Sequence, residues 1–175
     1  MNYAQIRKMD ISNGSGIGVS IFVSGCPIRC DGCHNKNLWD FNSGKEFTLS
    51  TQRDISKLIE PEYITRFSVL GGEPLVPNNY FTISCMIQSI KYQKPTITIW
   101  LYTGYTYENL KEKAYESTSL NNILKTVDYL VDGPFIQEEK DITLAFRGSR
   151  NQRILRNLGN GVYQDFTKKF DKGTE

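Results

Sequence analysis

The sequence predicts an α/β fold: a partial, open TIM-type β/α barrel built on a mainly parallel sheet. Three observations predict it. Short β-branched and aromatic runs alternate with stretches whose apolar residues recur at helical spacing, the pattern of right-handed βαβ crossovers. The chain has 175 residues, and a closed eight-stranded barrel usually needs about 250, so only part of one fits. Three of the runs finish in VSGC, VLGGEP and LYTG, putting glycine where parallel sheets carry their ligand-binding loops.

The elements follow in chain order. NGSGIG (13–18), with Asn13, Gly14 and Gly16 read as a turn, leads into VSIFVSG (19–25), a buried strand. A cysteine-rich loop comes next. In STQRDISKLIE (50–60), Ile55, Leu58 and Ile59 stand at helical spacing behind a Ser50/Thr51 cap. FSVL (67–70) is a short strand stopped by Gly71 and Gly72. Residues 79–92 place Ile83, Met86, Ile87 and Ile90 on one helical face, and ITIWLY (97–102) is a strand ended by Thr103-Gly104. Residues 106–113 and 118–125 read as helices, and VDYLVDG (127–133) as a further strand. No repeat or Pro/Ser-rich linker interrupts the chain. Residues 1–175 are therefore expected as one domain, with a core at about 10–156 and a peripheral tail at 157–175.

Composition narrows the function classes. With 39% apolar and 23% charged residues, the chain can bury a core and is not expected to be disordered. A formal charge of +2 is too small to point to nucleic acid. No apolar run approaches the roughly 18 residues that span a bilayer. MNYAQIRKMDISNG lacks the apolar centre of a signal peptide. A cytoplasmic protein is expected, bound to neither nucleic acid nor membrane.

The cysteines carry the chemistry. Cys26, Cys30 and Cys33 lie together in CPIRCDGC, while Cys85 stands alone. A disulfide framework spreads its cysteines along a chain, whereas clustered thiols in a reducing compartment point to a metal site. Three thiolates supply three irons of a 4Fe–4S cluster and leave the fourth open to a small molecule. The competing reading is a structural zinc site with His34 or Cys85 as fourth ligand. Adjacency of His34 to Cys33 makes joint chelation of one tetrahedral ion awkward, and a second CxxC pair is missing. Cys85 reads as a small apolar helix residue.

CPIRCDGCHN is similar to the CxxxCxxC signature of the radical S-adenosylmethionine superfamily. DISNGSGIGVSIFVSGCPIRCDGCHN, LWDF (38–41), LGGEPL (70–75), IWLYTGY (99–105), LVDGPF (130–135) and FRGSRNQR (146–153) resemble, in order, segments of the anaerobic ribonucleoside-triphosphate reductase activating proteins. The resemblance implies a partial barrel of the radical S-adenosylmethionine kind. It implies a 4Fe–4S cluster on Cys26, Cys30 and Cys33 whose open iron is chelated by the amino and carboxylate groups of S-adenosylmethionine. One-electron cleavage of the sulfonium would give a 5′-deoxyadenosyl radical, which takes an α-hydrogen from one glycine of the large subunit of anaerobic ribonucleotide reductase. A small flavoprotein such as flavodoxin is the implied electron donor. Activation of another glycyl-radical enzyme such as pyruvate formate-lyase, or a non-enzymatic zinc-binding interaction module, are the alternatives.

Other motifs are assigned on the same footing. Gly71 and Gly72 allow close backbone approach, and Glu73 offers a carboxylate to the ammonium of S-adenosylmethionine. The superfamily often has an aromatic residue before the third cysteine. Here it is Gly32, so adenine contacts are expected from backbone of Gly32, Cys33 and His34 or from elsewhere. His34 is expected in adenine or loop packing rather than catalysis. Arg147, Arg150, Arg153 and Arg156 make a basic stretch without acidic residues. Arg147 and Arg153 are expected near the site or partner, where a guanidinium suits carboxylates, and Arg156 on the surface. Lys168, Lys169 and Lys172 are expected on a solvated tail.

Overall fold

The computed structural model describes residues 1–171. One eight-stranded sheet organises the chain, in the order β3-β1-β2-β4-β5-β6-β7-β8. Its strands are β1 (Asn2–Asp10), β2 (Gly18–Val23), β3 (Lys45–Glu46), β4 (Arg66–Gly71), β5 (Thr98–Tyr102), β6 (Tyr129–Asp132), β7 (Arg153–Asn157) and β8 (Tyr163–Asp165). The helices are α1 (Leu49–Ile59), α2 (Tyr80–Gln93), α3 (Tyr107–Ala114), α4 (Thr118–Thr126) and α5 (Thr167–Asp171).

The expectation of a mainly parallel sheet is corrected. Parallel pairing is confined to β2·β4, β4·β5 and β5·β6. The flanking pairings β1·β2, β1·β3, β6·β7 and β7·β8 are antiparallel. The sheet is mixed and open, with β3 and β8 as its edges. The expected strands and helices all form, and the antiparallel additions come from segments with exposed polar positions. β1 leaves Arg7, Lys8 and Met9 exposed. The stretch from 157, expected as a peripheral tail, adds the edge strand β8 and α5. Of the lysines expected on that tail, Lys168 and Lys169 are exposed, and Lys172 lies outside the described residues.

The central strands are buried on both faces, which explains their mostly apolar runs, interrupted by buried Ser20, Arg66 and Ser68. One face, including Ile21, Val69, Leu101 and Leu130, packs against Ile55, Ile83, Ile87 and Ile123 of the helices in a single core. The cap of α1 sits two residues earlier than expected. Thr48 Oγ1 accepts from Thr51 N (3.3 Å), and Thr51 Oγ1 accepts from Thr48 N (3.2 Å), closing a capping box. The opposite face carries Phe22 and Leu70 beside Leu38, and Trp100, Val131 and Ile154 beside Phe146 and Phe170. Loops and the C-terminal segment, rather than long helices, cover this face.

Because β2, β4, β5 and β6 run the same way, their C-terminal ends share one edge. Val23 pairs with Gly71, and Tyr102 with Val131. VSGC, VLGGEP, LYTG and LVDG therefore emerge side by side.

Candidate active site

The cysteine loop is a closed excursion with pinned ends. Gly25 N donates to Leu38 O (2.7 Å) and Cys26 N to Trp39 O (3.1 Å). Gly25 has a φ of +91°, and a Cβ there would fall 2.1 Å from the Phe41 ring, so the LWDF segment packs where only glycine fits. Within the loop, Arg29 and Gly32 both take left-handed backbone, which folds the chain back so that Cys33 N donates to Cys30 O (3.2 Å). Asn35 then ties the loop to the next strand. Its backbone N–H points at Cys33 Sγ (3.4 Å) and its Nδ2 donates to Gly71 O (3.1 Å).

The glycine pair after β4 seats this second turn against the first. Gly71 has a φ of +116°, and a Cβ there would lie 2.7 Å from both the N and O of Val23. Gly72 N donates to Val23 O and Glu73 N to Gly25 O, each at 2.8 Å. Glu73 is 1% exposed. Its Oε1 accepts from Leu75 N (2.8 Å) and Thr103 Oγ1 (2.8 Å), and its Oε2 from Gly104 N (2.7 Å). Burial pushes the carboxyl up to about 7, even though these three hydrogen bonds and the charge of Lys113 favour ionisation. Glu73 is thus a bolt joining the GGE and LYTG turns. The roles of Thr103 and Gly104 in holding it were not legible in the sequence beyond the recurrence of glycine at strand ends.

A cleft of about 510 Å³ opens over these turns. Cys26, Cys30, Cys33, His34, Gly71, Gly72 and Glu73 all line it, with Tyr102, Thr103 and Gly104. Burial pushes the Cys26 and Cys30 thiols up. Backbone N–H groups of Arg29 and Ile28 at Cys26, and of Phe135 at Cys30, act the other way. These two thiols would ionise only beside a cation such as a metal group. Among the described residues, no three His, Cys, Asp or Glu side chains converge tightly enough to hold a single ion. Cys85 is on α2 as expected, yet exposed rather than packed, and it is absent from the cleft lining.

Gly32 stands behind the lining. Gly32 has a φ of +70°, which disfavours any side chain, and a Cβ there would displace Gln137 Oε1 (1.8 Å) and crowd Phe135 Cε1 (3.2 Å). Phe135 enters the cleft from the β6 loop and meets His34 edge-on, with centroids 5.8 Å apart. An aromatic ring is therefore present beside the third cysteine, supplied from a different strand end. LVDGPF and FRGSRNQR also meet. Asn151 Nδ2 donates to Pro134 O (2.7 Å), and Gln152 Nε2 donates to Gly133 O (3.0 Å).

The arginines divide. Arg147 lines the cleft. Arg153 instead grips buried Asp132 and reaches Glu108 (3.1 and 2.8 Å), so it braces β6, β7 and α3. Arg150 is an exposed partner of Asp141 at 3.0 Å. Arg156 is exposed and lies over Phe166.

Known proteins resemble this chain over most of its length. Residues 12–155 match the model of a 4Fe-4S single cluster domain. Three relatives are named anaerobic ribonucleoside-triphosphate reductase-activating protein. That of Enterobacteria phage T4 is 36% identical over 166 residues, 94% of this chain and 99% of the relative. That of Vibrio cholerae is 39% identical over 158 residues, 89% and 98% of the two chains. That of Escherichia coli is 40% identical over 156 residues, 88% and 97%. The chain belongs to this family of activating proteins. In this member of the activating-protein family, the cluster-domain match starts at Ser12, on the cleft lining, and ends at Leu155 in β7. It spans the whole cysteine loop and both glycine turns.

Proposed function

We propose that the chain activates an anaerobic ribonucleotide reductase as a radical S-adenosylmethionine enzyme. The observation that carries the reading is that three cysteine thiols, the GGE turn and the LYTG turn line one cleft. The donor set fits the group: three thiols share a wall, the fourth cysteine is elsewhere, and glycine turns leave room beside them. Cys26, Cys30 and Cys33 would hold the 4Fe–4S cluster. When bound, the reduced cluster and S-adenosylmethionine would supply one-electron cleavage of the sulfonium and abstraction of an α-hydrogen from a glycine of the reductase's large subunit.

The chain's own residues bind, orient and shield. The pinned ends of the cysteine loop fix the three thiols relative to β2 and β4. The backbone of Gly71 and Gly72 gives the methionyl end of the cofactor a surface free of side chains. Glu73 keeps that surface fixed against Gly104 and presents its remaining acceptor capacity towards the cofactor's ammonium. Phe135, with His34 and Cys33 on the cleft lining, offers a wall for adenine, with Gly32 behind it. Half-buried Leu144 and Phe146 on the cleft lining would limit water around a reactive radical. Four parallel strands whose loops converge on one edge support the kinship with partial radical S-adenosylmethionine barrels. The donor in this reading is a small flavoprotein such as flavodoxin, and the site of action is the cytoplasm.

The test is activation in vitro. Reduced, anoxically prepared protein with S-adenosylmethionine should produce a glycyl-radical EPR signal on anaerobic ribonucleotide reductase and none on pyruvate formate-lyase. A signal on the second target alone would reassign the substrate. A colourless protein with one zinc and no cofactor cleavage would replace the enzyme by an interaction module.

A further inference from the structure

A second pocket opens at the other end of the parallel strands, away from the cysteines. Its volume is about 300 Å³, at the small end of the range for small-molecule sites. It shares no lining residue with the cleft. Thr98 lines the pocket and Tyr102 the cleft, one at each end of β5 and roughly 13 Å apart at the rise of a strand.

Sheet register builds the base of the pocket. Trp100 pairs with Tyr129, and Tyr129 with Arg156, so their side chains form one row on the same face. Trp100 is buried and stacks on Tyr129 with centroids 4.5 Å apart. The turn into α5 is pinned beside this row: Phe166 N donates to Ile154 O (2.8 Å), and Ile154 N donates to Thr167 Oγ1 (2.9 Å). Phe170 then sets its ring edge-on to Trp100 and Tyr129 at 5.6 and 5.8 Å.

The charges of the wall select the ligand. Arg156 and Lys169 both line the pocket. They lie over the Phe166 ring at 5.3 and 4.1 Å from its centroid, which gathers two cations at one point. Among the described residues, no Asp or Glu lines the pocket, so its wall favours an anion. Aromatic rings beside clustered cations match a ligand that joins a flat ring to an anionic group. A space this small takes one such ligand rather than a length of peptide.

We infer that this pocket is a second binding site, for a ligand of the nucleoside monophosphate class. The base lies against the rings of Tyr129, Phe166 and Phe170, and the phosphate meets Arg156 and Lys169. None of the cleft residues takes part, so the inference stands apart from the function proposed above.

The experiment is equilibrium titration of the full chain, reconstituted without oxygen, with AMP, adenosine and ribose 5-phosphate. AMP should bind at one site per chain with a Kd below about 1 mM, and each fragment at least about tenfold more weakly. Arg156→Gln, a change at an exposed position, should weaken AMP at least about tenfold and adenosine less than about twofold. Arg156→Lys should recover part of that loss. Phe166→Leu should weaken AMP about three- to tenfold, and Phe135→Ala, in the cleft, less than about twofold. Absence of AMP binding to the wild type would overturn the inference. So would adenosine or ribose 5-phosphate binding as tightly as AMP, since one half of the recognition would then be missing. AMP binding that survives Arg156→Gln but is lost in Phe135→Ala would place the nucleotide in the cleft and overturn it equally.

Discussion

Thr103 Oγ1 donates to Glu73 Oε1 across 2.8 Å, joining the ends of two neighbouring parallel strands beneath the candidate cofactor cleft. The bond belongs to a set of three that satisfies a carboxylate almost out of reach of water, so protonation of Glu73 is coupled to folding.

The sign of that coupling is fixed by the direction of the shift. The folded-state value is raised from 4.5 to about 7, so between those limits the folded chain holds a proton that the unfolded chain releases. Stability of the metal-free protein should therefore fall as pH rises from about 4.5 to about 7, by up to roughly 3 kcal/mol. Urea unfolding at several pH values measures it. Glu73→Gln should flatten this part of the profile, and an unchanged slope in that variant would assign the dependence to other groups.

Gly71→Ala should be costly for a backbone reason. The position has a φ of +116°, and the added Cβ would meet Val23 N and O at 2.7 Å, where no flexible side chain can yield. A loss of about 2–4 kcal/mol is expected, read as a fall in the denaturant midpoint. Gly159→Ala is the control, since it shares positive φ but has nothing within 4 Å.

Arg153 and Arg147 lie six residues apart in one motif and should separate cleanly. Arg153→Gln leaves Asp132, which is 1% exposed, with the Tyr107 N–H (2.8 Å) but without its cation, and should lower stability by roughly 1–3 kcal/mol after allowance for the one-third exposure of the arginine. Cofactor affinity of the folded fraction should stay within about twofold. A large selective loss of affinity would move Arg153 into the site.

Phe135→Ala should weaken S-adenosylmethionine binding by about three- to tenfold, the range expected for loss of an aromatic contact. Phe135→Leu should recover less than half of that. Cofactor titration of cluster-loaded protein checks both, and full affinity in the alanine variant would remove Phe135 from the adenine wall.

The central strands and the site edge were legible because their residues face apolar surroundings on both sides. VSIFV, FSVL and ITIWL are mostly apolar, β-branched and aromatic runs, and each is followed by glycine at the shared edge. β1, β7 and β8 were not legible. They join antiparallel beside the central unit, keep exposed positions filled by residues such as Arg7, Lys8, Arg156 and Gln164, and so lack either period. The cysteine cluster could be found from spacing, and the glycine pair after FSVL from its place at a strand end. Thr103, Gly104 and Phe135 could not, since their partners lie at least 30 residues away in sequence or come from a different strand end. Gly32 marked the absence of an aromatic residue before Cys33, and only the fold shows which ring stands nearby.

Iron content of four single variants, Cys→Ala at 26, 30, 33 and 85, prepared and reconstituted without oxygen, tests the central claim most directly. The account predicts about four irons per chain in the wild type and in Cys85→Ala, with loss of the cluster in each of the other three. Loss of iron on removing Cys85, or a full cluster retained without any one of Cys26, Cys30 and Cys33, would contradict it.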